Sequence, residues 1–139
     1  MRDVATYFLH PIGIVRSVLK GRRTAPRHGR EGAPEAWLEI DPAYAPALDG
    51  LEAGRDIIVL TWLHEGRRDV LRVVPRHDPA NPERGVFLTR SPDRPNPVGL
   101  HRVHLFEIDG TRLRVGPLEA IDGTPVLDIK NVLAELADT

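Results

Sequence analysis

Apolar residues along this chain recur in short runs, not at helical spacing. Ile12, Ile14, Val15 and Val18 mark an extended stretch behind His10-Pro11, and Trp37-Leu38-Glu39-Ile40 is short and β-prone. The run IIVLTWL at 57–63 is continuously apolar and rich in β-branched and aromatic residues, which predicts a strand buried on both faces. VLRVV at 70–74 follows across a polar EGRRD connection and predicts a hairpin with it. Residues 100–108 predict another strand, which Asp109-Gly110 joins to Arg112–Val115 through a two-residue turn. Asp122-Gly123 predicts a second such turn before Pro125–Lys130. Helical signals are confined to Ala43–Leu48 and Val132–Ala137, each a short helix at most. Many strands joined by short turns predict a mainly β chain, an antiparallel barrel or sandwich.

With 139 residues, 41% hydrophobic and 28% charged, the chain fits one globular domain over 1–139. It has no cysteine, which excludes disulfides, thiolate metal sites and cysteine nucleophiles. No apolar run approaches the roughly 20 residues of a membrane helix, so no membrane partner is expected. The opening MRDVATYFLHPIG carries Asp3 and no apolar core, which argues against a secretory signal, and a cytoplasmic protein is expected.

The net charge of −1 gives no overall attraction to nucleic acid, but the charges are uneven. Arg16, Lys20, Arg22, Arg23, Arg27 and Arg30 precede the next acid, Glu31. That run is either a phosphate grip or a solvated arginine-rich loop. Glycine-rich nucleotide loops and the G-x-S-x-G elbow are absent. His101 and His104 fall on opposite faces of a strand, so they read as surface or partly buried histidines and no metal site is expected.

The densest chemical signal is TRSPDRPNPVGL at 89–100, with three prolines in six positions. Each proline fixes its own φ and pushes the residue before it into the extended region. Ser91, Arg94 and Asn96 are thereby held extended, and Gly99 permits a close backbone approach or a positive φ. Such a loop loses little freedom on binding. Arg90 and Arg94 offer forked donors suited to a carboxylate.

TRSPDRPNPVGL closely resembles the T-R-S-P-x-R-P-N-P-I-G signature of the TsaA-like family, also called YaeB-like or TrmO-like. LEAIDGTPVLDIK at 118–130 is similar to that family's second signature. IGIVRS at 12–17, APRHG at 25–29 and GLEAGRDIIVLTWLH at 50–64 resemble its opening strand, following loop and central strand.

The resemblance implies a small antiparallel β-barrel with one or two short helices that binds S-adenosylmethionine. It also implies a homodimer with the cofactor near the subunit interface. The implied reaction is methylation of N6 of N6-threonylcarbamoyladenosine beside the anticodon of tRNA. The alternatives are another nucleotide or small-molecule acceptor, or a nucleic-acid-binding barrel without chemistry. The 5% aromatic content counts against the last, which relies on stacking platforms.

Carried over by position, the implied cofactor contacts are Pro26, Arg27 and His28, then His64 and Glu65, Arg90, Leu100, and Glu119, Ala120, Ile121 and Asp122. Arg27 or Arg90 suits the donor's carboxylate, Glu119 or Asp122 its ribose hydroxyls, and Leu100 its adenine. Arg22, Arg23 and Arg30 are the expected RNA contacts. A urea nitrogen needs a general base, for which His28, His64, Glu65 and Asp128 are candidates. His28 and Glu65 stand where the family has glutamine.

Overall fold

The computed structural model describes residues 5–21, 32–75 and 79–133. The described residues form eight strands: β1 (Gly13–Arg16), β2 (Ala36–Ile40), β3 (Asp56–Trp62), β4 (Arg72–Val73), β5 (Arg84–Gly85), β6 (Val98–Asp109), β7 (Arg112–Gly116) and β8 (Pro125–Asn131). Six of them close a barrel in the order β1-β2-β7-β6-β3-β8, and every paired neighbour is antiparallel. Closure leaves the barrel no open sheet edge to protect.

Period-two alternation fills the barrel. Val15 of β1, Leu38 and Ile40 of β2, Ile57 and Val59 of β3, Val103 and Leu105 of β6, Leu113 and Val115 of β7 and Val126 of β8 are buried together. Leu118 and Ala120, beyond β7, join the same cluster. In β3 the outward side is also partly covered: Ile58 is buried and Leu60 and Trp62 are half-buried.

β6 is 12 residues long and serves two partners. Its first half pairs with β3 from Val98↔Trp62 to His104↔Asp56, and its second half with β7. A register shift between Leu105 and Glu107 marks a bulge at Phe106, and bulges of this kind bend a strand. The β6–β7 turn lies one residue later than the sequence predicts. Asp109 is still paired, with Arg112, and the loop is Gly110-Thr111. Gly110 has φ 62°, and a glycine at the first loop position is the type II′ preference.

Three further expectations are corrected. VLRVV does not pair with 57–63: only Arg72–Val73 is strand, and it pairs with Arg84–Gly85 in a separate two-stranded ribbon. Asp122-Gly123 does turn the chain, with Gly123 at φ 85°, but it does not make a hairpin. β8 lies between β1 and β3, away from β7. The helix at 43–48 is a 3-10 segment, Pro42–Leu48, with Asp41 Oδ1 accepting the Ala43 N–H at 2.9 Å. Pro46 lies inside it and supplies no N–H donor. A second 3-10 turn spans Val86–Leu88. The helix expected at 132–137 falls mostly outside the described residues.

Candidate functional site

Antiparallel order brings alternate strand ends to one rim. The end of β1, the start of β2, the end of β7, the end of β3 and the starts of β6 and β8 share it. Among the described residues, these segments adjoin this rim: 63–69 after β3, 89–97 before β6, 117–124 between β7 and β8, and the chain leaving β1.

The proline-rich loop is laced to the 63–69 loop. Arg94 N–H donates to Arg67 O at 2.8 Å, and Arg67 N–H donates to Asp93 Oδ1 at 2.9 Å. Leu63 N–H donates to Pro97 O at 2.7 Å. Arg68 is the clasp: Nε donates to Pro95 O at 2.7 Å and Nη2 to Asn96 Oδ1 at 2.9 Å. Its guanidinium also lies 5.2 Å from the Trp62 ring centroid. Sequence reasoning passed over Arg68, which carries no motif of its own.

Inside the loop the polar side chains face inward on its backbone. Arg94 Nη1 donates to Thr89 O and Ser91 O at 3.0 and 3.1 Å, so one arm of its fork holds the loop backbone. Ser91 Oγ accepts the Asp93 N–H at 3.1 Å. Arg90 is exposed, as are His64 and Glu65 beyond β3. Leu100 is 42% exposed on the outer face of β6.

The 117–124 segment is tied to the chain leaving β1. Asp122 N–H donates to Leu19 O at 2.6 Å and Gly123 N–H to Val15 O at 2.8 Å. Both Asp122 carboxylate oxygens are engaged, Oδ1 by the Ser17 N–H at 3.0 Å and Oδ2 by Lys20 Nζ at 3.3 Å. The Ser17 N–H and then Lys20 hold this carboxyl below its ordinary range, against the opposing effect of burial. Ala120 and Ile121 are buried, and Leu118 N–H donates to Pro34 O at 2.9 Å. The Gly116–Pro117 bond is cis.

Glu119 differs from Asp122. Its Oε1 lies 2.6 Å from His101 Nδ1, and His101 Nε2 lies 2.7 Å from Thr61 Oγ1. His101 is 4% exposed, so the expectation of a surface or partly buried histidine is corrected for it. The signal was legible: Gly99, His101, Val103 and Leu105 alternate on one face, and a histidine among them belongs inside. His104 lies on the opposite face, where Nδ1 meets Asp56 Oδ1 at 2.9 Å. That His104 bond is the main cause holding the Asp56 carboxyl below its ordinary range.

Pro26, Arg27, His28, Arg22, Arg23 and Arg30 lie outside the described residues. Asp128 is exposed on β8, 3.5 Å from Lys130 Nζ, and no bond among the described residues ties it to the rim. Among the described residues no cluster of three His, Asp or Glu could hold a metal ion. None of their helices is long and apolar enough to cross a membrane.

A closed six-stranded antiparallel barrel, with its signature loops gathered at one rim, defines a class of small β-barrel proteins distinct from doubly wound nucleotide-binding sheets. The chain belongs to the family of tRNA-methyltransferase O N-terminal domains, which it matches over residues 14–138. A probable S-adenosyl-L-methionine-binding protein of Methanothermobacter thermautotrophicus is 52% identical over 122 residues, which cover 88% of this chain and 87% of that relative. An S-adenosyl-L-methionine-binding protein of Archaeoglobus fulgidus is 47% identical over 128 residues, covering 92% and 91%. The crystal structure of TrmO from Pseudomonas aeruginosa superposes with a TM-score of 0.76 at 31% identity. That superposition covers 99% of this chain and 59% of the solved one, so this chain spans well under two thirds of that protein.

Proposed function

We propose that this chain is an S-adenosylmethionine-dependent methyltransferase, that its acceptor is tRNA, and that the methylated atom is N6 of N6-threonylcarbamoyladenosine. The observation that carries the reading is the family match over 14–138, joined to a rim where His101, the residue that follows the proline-rich signature, bonds Glu119 of the second signature. The site's chemistry suits the donor. Arg90 is an exposed fork for a carboxylate, Leu100 an exposed apolar surface for a base, and Glu119 a carboxylate of which one oxygen is committed inward.

When bound, the sulfonium supplies an electrophilic methyl carbon. The protein's part is alignment, since an in-line displacement is governed by positioning. The laced loops serve that end by presenting Arg90, His64 and Leu100 from a stiff platform. His64 is exposed at the rim and is the described side chain best suited to take the proton from the acceptor nitrogen. The enzyme acts as a cytoplasmic homodimer, with Arg22, Arg23 and Arg30 toward RNA.

Calorimetry with S-adenosylhomocysteine tests the donor site. Folded protein should bind it without added metal, and Arg90→Ala should weaken binding by about 1.5–3 kcal/mol, the range for a charge-assisted hydrogen bond. Absence of heat in folded wild type would sink the reading. Transfer of label from methyl-labelled donor to tRNA bearing the threonylcarbamoyl group, but not to tRNA lacking it, tests the acceptor.

A further inference from the structure

Among the described residues the barrel interior holds one histidine, His101, and it is bonded at both nitrogens. Thr61 of β3, 0% exposed, and His101 of β6, 4% exposed, are joined at 2.7 Å. His101 Nδ1 then reaches Glu119 Oε1 at 2.6 Å, and the Glu119 side chain is 17% exposed. A carboxylate only accepts, so Nδ1 carries a proton; in a neutral ring Nε2 then accepts the Thr61 hydroxyl proton. The three groups form a file leading from the core to the rim.

The proline signature makes room for this file. A Cβ on Gly99 would meet Thr61 Oγ1 and the His101 imidazole in a forbidden overlap, with His101 Nε2 at 2.6 Å. Thr61 and Gly99 are also register partners across β3 and β6. The glycine that ends the proline-rich loop is therefore the vacancy into which the Thr61–His101 bond fits. The backbone around Glu119 is equally fixed: Leu118 and Ala120 are buried, and Thr124 Oγ1 donates to Ile121 O at 2.7 Å.

Of the two carboxylates in the 117–124 segment, Asp122 has both oxygens engaged, by Ser17 and Lys20. Among the described residues, Glu119 is bonded through Oε1 alone. We propose that His101, itself held by Thr61, is a positioning residue that anchors Glu119 through Nδ1, so that the remaining carboxylate oxygen accepts the ribose hydroxyls of the methyl donor. The proposal rests on the cofactor reading above. It assigns the ribose to Glu119 and removes Asp122 from that role. His101 itself touches no ligand; its work is to deny Glu119 other rotamers.

The test is a selectivity measurement by calorimetry, using S-adenosylhomocysteine and its analogue lacking both ribose hydroxyls. Wild type should prefer the natural ligand by about tenfold or more, as expected of hydrogen bonds to a charged group. His101→Ala should lose most of that preference while the dideoxy analogue binds within about twofold of wild type. His101→Asn, whose amide N–H takes the place of Nδ1–H, should restore it, and His101→Gln should not. Thr61→Val, which keeps the strand and removes the hydroxyl, should fall between wild type and His101→Ala.

A merely structural histidine would weaken both ligands equally, and that result would overturn the proposal, as would a wild type indifferent to the ribose hydroxyls. If His101→Ala does not fold, equal preference in the Asn and Gln variants overturns it. Folded wild type that binds neither ligand would instead overturn the cofactor reading, and this inference with it.

Discussion

Asp122 shows how a side chain that a motif marks also carries a structural role. The Asp-Gly pair suggested a turn and the signature suggested a ligand, while the structure gives its oxygens to Ser17 and Lys20. Its carboxyl titrates below the ordinary range, chiefly because of the Ser17 N–H. A depressed folded value means that ionised Asp122 stabilises the fold fully above the ordinary carboxylate range. That stabilisation is lost as pH falls through the depressed value. Asp122→Asn keeps an acceptor for Ser17 and removes the charge. Urea midpoints should therefore differ most between variant and wild type near neutral pH and converge on acidification; a constant gap would show that charge is not what matters. His101 and Thr61 were not visible as a pair because their bond depends on a β3–β6 register that no local pattern encodes. The inward alternation of Gly99, His101, Val103 and Leu105 was visible. Arg68 was beyond reach, since its partners are backbone and amide oxygens nearly thirty positions away in sequence, Pro95 and Asn96.

Strands with strong patterns were legible, and weakly patterned ones were not. IIVLTWL became β3 because β-branched residues suit a strand flanked on both sides, here by β6 and β8. VLRVV misled because nearness along the chain stood in for pairing. Its true partner, Arg84–Gly85, is two residues long and has no periodicity to read. The β6–β7 turn was found at the right place but one residue early. Asp-Gly suggests type I′, whereas the register Asp109↔Arg112 leaves Gly110-Thr111 as the loop. At φ 62° a side chain with a branched Cβ is strained, so Gly110→Val should cost about 1–3 kcal/mol in unfolding free energy. Asp109→Ala should cost far less, because Asp109 sits exposed in the strand. Equal losses in the two variants would place the turn on Asp109 after all.

Barrel against sandwich was left open by local pattern, because closure depends on β8 meeting both β1 and β3 across long stretches of chain. The family resemblance supplied the closed form, and the rim that gathers the signature loops follows from it. The same architecture leaves apolar surface outside. Leu71 is 66% exposed, Phe87 81% and Leu88 76%. They lie together, since the Val86 N–H donates to Leu71 O at 3.0 Å beside the β4–β5 ribbon. Single exposed apolar residues are ordinary, but two large ones in succession on a rigid 3-10 turn next to a third make a patch that water disfavours. A second copy of the chain is the partner the proposed homodimer supplies. Replacing Phe87 and Leu88 together by Asp should then convert a dimer to a monomer in light scattering. Neither side chain is part of the barrel core, so strand content should be retained. Wild-type thermal midpoints should rise with protein concentration, as binding between folded subunits requires, and the double variant's should not. A wild type that is monomeric at high concentration, or a double variant that still dimerises, would remove this ribbon from the interface.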